Sequence, residues 1–228
     1  MKTVSIVMTT RNHLEMVKQS LFVLFMNTIN PGEVILFDDA STDGTEEYFS
    51  SWRPADSQLE FRYVRSNENW LCGAHGQAFK YAKEVDFYIS MDDDVVYVPN
   101  NWLMDLYKFD NYPKMGIMLV LDYSYIKMFT KLYGEDAFIG GLNLTERGKN
   151  YGHGYCMIFK REDYERVDGM KCDKGVYPYD ADFEFRIDTI GNHVYCFGEP
   201  LIVHLGPGKS RYYGYTGKEA TIRDGVDI

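Results

Sequence analysis

The sequence predicts an α/β architecture, with a mostly parallel central sheet covered by helices on both faces. Two observations carry this: short β-branched runs alternate with segments of helical period, and acidic clusters follow directly on strand candidates. Val4-Ser5-Ile6-Val7-Met8 opens the chain as a strand. Leu14, Val17, Leu21, Leu24 and Phe25 then recur at helical spacing, and Gly32 breaks the pattern. Val34-Ile35-Leu36-Phe37 reads as a buried strand running into Asp38-Asp39, with a short helix from about Gly44 to Phe49. Leu59 to Val64 is the third strand, Ala78 to Val85 the third helix, and Phe87-Tyr88-Ile89 a strand that stops at Asp92-Asp93-Asp94. This βαβαβαβ order places functional loops at the carboxyl ends of parallel strands.

The second half is less regular. Gly116 to Leu121 and Tyr155 to Phe159 read as strands, Glu162 to Val167 as a short helix, and Phe183 to Ile190 as a helix ended by Gly191. His193 to Phe197 and Leu201 to Val203 are the last strands. Tyr123 to Asn150, rich in Tyr, Gly and Lys, reads as excursions beside the site, and the glycines after Gly206 mark a mobile loop. The 228 residues divide into about 1–98 as a first half, about 99–205 as a second, and a tail over 206–228, all within one domain.

Composition narrows the function. Hydrophobic residues make up 45%, too many for a disordered chain, and 34 acidic against 24 basic side chains leave a formal charge of −10. That balance excludes nucleic acid or an anionic membrane as the main partner. No apolar run approaches the ~18–20 residues that span a bilayer, and the opening MKTVSIVMTTRNH is too short in apolar residues for an export signal. A cytoplasmic location follows as the expectation. Cys72, Cys156, Cys172 and Cys196 show no paired spacing and read as reduced.

The chemistry gathers in three acidic groups: Asp38-Asp39, Asp92-Asp93-Asp94, and Asp180 with Asp182. Carboxylates collected at one sheet edge repel one another unless a cation lies between them, which points to a divalent metal and a bound diphosphate. The competing reading is that each aspartate caps a turn or helix.

Taken in order, VSIVMTTRNH, VILFDDASTDGT, YISMDDDVVYVP, YDADFEFRI and LIVHLG resemble the glycosyltransferase family 2 series over roughly residues 3 to 210. The resemblance implies the GT-A fold, with a small β excursion on the acceptor side, and a donor that is a nucleotide-diphosphate sugar. It assigns the nucleotide to Thr9, Arg11, Asp39, His75, Asp92 and Asp93. A carboxylate at Asp39 can accept the N3–H of uracil, which favours a UDP-sugar, although thymine presents the same edge and dTDP- or GDP-sugars stay open. Asp38 has the blander role of capping the turn. Asp94 and His204 are the implied metal ligands, and carboxylate, imidazole, diphosphate and water suit Mn2+ or Mg2+. Strand alternation turns Asp93 away from Asp92 and Asp94 and makes it a bystander to the metal.

The same resemblance makes Asp180 the catalytic base of an inverting transfer to a hydroxyl of a glycan, protein or small molecule. Against this, Asp180 could simply cap a helix starting near Ala181. Asp182 reads as a partner for Arg186 four residues on and as a second candidate contact to the sugar. Trp70, Lys209 and Arg211 are further donor or acceptor contacts. The chain departs from the family pattern at Arg11, where an aromatic is usual, at His75-Gly76 in place of Arg-Asn, and at Tyr179 in place of Glu. Those departures sustain the alternative of an inactive sugar-nucleotide or glycan-binding module. A haloacid-dehalogenase-type phosphatase, suggested by Asp92-x-Asp94, would need that motif after its first strand rather than its fourth.

Overall fold

A computed structural model of the chain describes residues 2–55, 57–103, 114–120, 145–146, 154–171, 173, 179–196 and 203–204. The described strands are β1 (Val4–Thr10), β2 (Gly32–Asp38), β3 (Leu59–Arg65), β4 (Phe87–Asp92), β5 (Val95–Tyr97), β6 (Met115–Leu119), β7 (Thr145–Glu146), β8 (Cys156–Lys160), β9 (His193–Cys196) and β10 (Val203–His204). The described helices are α1 (Leu14–Asn27), α2 (Thr45–Phe49), α3 (Ala74–Phe79), α4 (Arg161–Arg166) and α5 (Tyr179–Thr189).

Eight strands form one sheet in the order β3-β2-β1-β4-β8-β6-β9-β7, and β10 pairs with β5 in a second, two-stranded sheet. β1 runs parallel to both β2 and β4, and β2 parallel to β3. β8 enters antiparallel between β4 and β6, while β9 is parallel to β6. Register matters most at the carboxyl edge, where Thr10 lies opposite Asp38 and Thr9 opposite Asp92. The ends of three strands, and with them two of the acidic groups, therefore meet at one edge.

Successive side chains on a strand face opposite ways, so the sheet divides its core in two. Ile6, Met8, Leu36 and Ile89 pack with Val17, Leu21 and Leu24 of α1. Val7, Ile35, Tyr88 and Phe159 pack on the other face with Ala78, Phe183 and Ile187 of α3 and α5. Trp102 belongs to the first cluster, 6% exposed, with its indole N–H donated to Thr28 Oγ1 at 2.9 Å. It is part of the core. Cys72 and Cys156 are free thiols, as expected, and no described helix is long and apolar enough to cross a membrane.

Two helices differ from expectation. The third helix spans Ala74–Phe79 in place of Ala78 to Val85. Gly76 lies inside it because a Cβ there would come within 2.4 Å of the Lys171 carbonyl oxygen, so close packing overrides glycine's weak helix propensity. Past Phe79 the chain tightens into three-residue bonds, Lys80 to Gln77 and Tyr81 to Ala78. The helix expected at Phe183 to Ile190 begins four residues earlier, at Tyr179. Asp180 thus lies within its first turn rather than ahead of Ala181 as a cap. Lys209, Arg211, and 123–150 apart from Thr145–Glu146 lie outside the described residues.

Candidate active site

Asp38 closes the end of β2. Its Oδ1 accepts the Ser41 amide at 2.8 Å, and its Oδ2 accepts the Tyr63 hydroxyl at 2.5 Å and Arg65 Nη1 at 2.6 Å. This carboxylate is fully buried and consumed in holding the turn, the structural role expected of it.

Its neighbour Asp39 points elsewhere. Oδ1 accepts the backbone N–H of Trp70 at 2.8 Å and Oδ2 that of Leu71 at 3.1 Å, which ties the loop before α3 to the end of β2. Burial raises the Asp39 carboxyl above the ordinary carboxylate range against the pull of the two amides and Arg11. Arg11 Nη1 donates to the carbonyls of Asp39 at 2.6 Å and Ala40 at 3.1 Å, so its guanidinium lies along this corner. Trp70 is half-buried there, with its indole N–H donated to Ser66 Oγ at 3.1 Å. Asp39, Arg11 and Trp70 form one corner.

A second corner forms around His75. Its Nε2 is 2.9 Å from Thr9 Oγ1 and its Nδ1 is 2.9 Å from Ser90 Oγ, so one imidazole bridges β1 and β4. Asp92 Oδ1 lies 4.0 Å from Nε2. The ring stacks on Tyr179 with centroids 4.7 Å apart and planes at 13°. Burial pushes His75 below the ordinary histidine value, despite Asp92, Asp180 and Asp93 nearby, and it is therefore neutral at pH 7.

Asp180 follows directly. Its Oδ2 accepts the Gly154 amide at 3.2 Å and its Oδ1 the amide of Ala181 at 2.9 Å. A Cβ on residue 154 would come within 2.8 Å of Asp180 Cβ, so only glycine lets the chain before β8 approach this carboxylate. Asp182 pairs with Arg186, Nε to Oδ2 at 2.7 Å.

Asp93 and Asp94 occupy the turn between β4 and β5. Asp93 faces α1: His13 Nδ1 is 3.3 Å from its carboxylate and Ser20 donates to its carbonyl at 2.7 Å. Asp94 is 6% exposed. β10 pairs antiparallel with β5 so that His204 stands opposite Val95, which brings its backbone beside Asp94 from more than a hundred residues away. Among the described residues no three His, Cys, Asp or Glu side chains are gathered to hold a metal.

Thr9, His75, Asp92 and Asp180 are thus brought together, with Asp39, Arg11 and Trp70 alongside, while Asp93 and Asp182 are held by other partners. Ser90, Tyr179 and Gly154 also build the site. Ser90 had a signal, a hydroxyl inside the apolar run Phe87 to Met91; Gly154 had none.

A mostly parallel sheet with β8 inserted antiparallel and β7 antiparallel at its edge, and carboxylates collected at the carboxyl edge of β2 and β4, defines a GT-A fold of the glycosyltransferase class. The chain belongs to Glycosyl transferase family 2, whose pattern matches residues 5–168. Among solved structures it is similar to the mannosyltransferase PcManGT of Pyrobaculum calidifontis, in complex with GDP-Man and Mn2+, at TM-score 0.72 and 21% identity over 90% of this chain and 57% of that one. It is also similar to S. aureus TarS in complex with UDP-GlcNAc, at TM-score 0.67 and 16% identity over 89% of this chain and 57% of that one. GalNAc-T7 with UDP, GalNAc and Mn2+ aligns at TM-score 0.65 and 13% identity over 89% of this chain and 44% of that one. The chain therefore spans between 44% and 57% of the length of these proteins, and the likeness is one of fold. No protein of curated function matches it in sequence.

Proposed function

We propose that this chain is an inverting glycosyltransferase that moves a sugar from a UDP-sugar to a hydroxyl acceptor. What supports the reading is a family 2 fold with Asp39 just past the end of β2, Asp92 at the end of β4, and Asp180, in the first turn of α5, near His75 together with Asp92. About 1–98 holds the nucleotide and about 99–205 the acceptor.

The Asp39 carboxylate has lone pairs left after accepting two amides, and a uracil N3–H can be donated to one of them. Arg11 and Thr9 flank the base and ribose, and Asp92, with a side chain 36% exposed, faces the ribose and sugar. Asp94 and His204 would hold Mn2+ or Mg2+, which supplies positive charge for a diphosphate that a chain of charge −10 otherwise repels. The acceptor oxygen attacks the anomeric carbon opposite the diphosphate, the C1–O bond breaks, and UDP leaves. Asp180 takes the acceptor proton. A free aspartate of pKa ~3.9 cannot deprotonate an alcohol outright, but it can accept the proton late, as the forming bond acidifies it, for about 10²–10⁴-fold in rate.

A donor-hydrolysis screen over UDP-, GDP- and dTDP-sugars with manganese tests this reading. UDP-sugars should be turned over fastest. A preference for GDP-sugars overturns the role of Asp39, and binding without any turnover points to a sugar-nucleotide-binding module.

A further inference from the structure

Two of the positions at which this chain departs from the family pattern, His75 and Tyr179, are 104 positions apart in sequence and in face-to-face contact in the fold. His75 is 4% exposed and pinned at both nitrogens, to Thr9 on β1 and Ser90 on β4. Asp92 lies on the Nε2 side, which favours the proton on Nε2 and leaves Nδ1 to accept from the Ser90 hydroxyl. With both nitrogens bonded the ring cannot rotate. A plane lying 13° from it on Tyr179 is then fixed as well.

We infer that His75 is a positioning residue for Asp180: locked to the ends of β1 and β4, it clamps Tyr179 and thereby sets the first turn of α5 against the donor-side strand ends. The inference rests on the reading of Asp180 as the base. Tyr179 is the first residue of α5 and Asp180 the second, so the ring contact with His75 anchors the stretch of backbone that also carries the carboxylate. The Gly154 amide holds that carboxylate from the other side at 3.2 Å. A clamp made of a neutral imidazole and a phenol ring also brings no cation to Asp180. A buried positive charge at position 75 would stabilise the carboxylate and weaken it as a proton acceptor.

The test is a cycle of Tyr179→Phe, Tyr179→Leu and Asp180→Asn with the double variant Tyr179→Leu/Asp180→Asn. The rate read is hydrolysis of the UDP-sugar fastest in the donor screen, with water as acceptor, alongside UDP affinity and the thermal midpoint. Tyr179→Phe keeps the ring face and should stay within about threefold of wild type. Tyr179→Leu keeps apolar volume without the face, and its rate should fall about 10- to 100-fold while UDP affinity changes by less than about threefold. In the Asp180→Asn background the same change should cost nothing further, because residues acting as a unit are not additive. His75→Asn, which keeps a partner for Ser90 but has no ring, should lower the rate at saturating UDP-sugar about 10- to 100-fold if Tyr179→Leu fails to fold; its UDP affinity is not part of the comparison, because His75 also stands among the nucleotide residues.

Additive losses, an equal loss of UDP affinity, or a Tyr179→Phe as damaged as Tyr179→Leu would each overturn the inference. If Asp180→Asn alone keeps the wild-type rate, the reading of Asp180 fails and this inference falls with it. If Asp180→Asn collapses but Tyr179→Leu does not, only the clamp fails.

Discussion

The two corners of the site are built on opposite principles. Around Asp39, both carboxylate oxygens accept backbone amides and a guanidinium lies across the adjoining carbonyls, so the group is fixed before any ligand arrives. Around His75, the carboxylates of Asp92 and Asp180 face an uncharged ring. The first arrangement suits the reading of a polar edge, where rigidity gives discrimination. The second suits a proton acceptor, which a nearby cation would weaken. Asp38 shows a third outcome one residue from Asp39: saturated by Ser41, Tyr63 and Arg65, it serves the fold alone.

The sharpest way to break this comparison is Asp180→Asn. Asparagine keeps the size and the capacity to accept from Gly154 while removing the proton acceptor. Transfer should fall by about two to four decades with the thermal midpoint and UDP affinity preserved, measured in single turnover. A nearly unchanged rate would remove Asp180 from the role, and a larger collapse at Asp182→Asn would move it there.

Asp39→Ala probes the other corner. It should weaken UDP by roughly tenfold or more, the order lost with a charge-assisted hydrogen bond, and weaken free pyrophosphate far less. Equal losses for the two ligands, read by calorimetry, would mean that Asp39 shapes the loop at Trp70 and Leu71 without reading the base.

These contrasts were only partly legible in the sequence. The strands of the first half could be read because buried parallel strands are continuous apolar runs, and β1, β2 and β4 fit that description within two or three residues. The Asp182–Arg186 pair was equally legible, since helical spacing alone brings such residues together. α3 was misplaced because its helical residues, Ala74-His75-Gly76, are ordered by tertiary contact and carry no apolar period. The clamp of His75 on Tyr179 and the bond of His13 to Asp93 join residues far apart in the chain, and no local pattern encodes such partners. The acidic clusters announced a site, but not which aspartate does what.

A smaller effect concerns the metal. The turn carrying Asp94 and the strand carrying His204 meet through β5 and β10, and the donor's diphosphate must enter a protein of charge −10. UDP affinity should therefore drop on adding EDTA and return with manganese. Affinity identical in both conditions, measured by the same titration, would sink the assignment of Asp94 and His204. A loss confined to the UDP diphosphate, with uridine binding unchanged, would sharpen it, since the proposed role of the Asp39 corner toward the base involves no metal ion.

The smallest expected effect lies behind the site, where His13 meets Asp93. Burial alone would lower the histidine's pKa, but the bond to Asp93 and the charges of Asp93, Asp94 and Asp43 outweigh it, and the net shift is upward from 6.5. A folded-state pKa above the unfolded one means that the folded protein binds the proton more tightly. The resulting stability is fully present below about pH 6.5 and is lost as pH rises through the folded value. His13→Gln keeps a hydrogen-bond donor for Asp93 and removes the titrating charge. The thermal midpoints of wild type and variant should thus differ most at about pH 6 and converge toward about pH 9, other titrating groups cancelling in the difference. A gap that stays constant, or widens with pH, would show that Asp93 is held by a neutral imidazole. The buried acidic turn would then rely, as the His75 corner does, on uncharged partners.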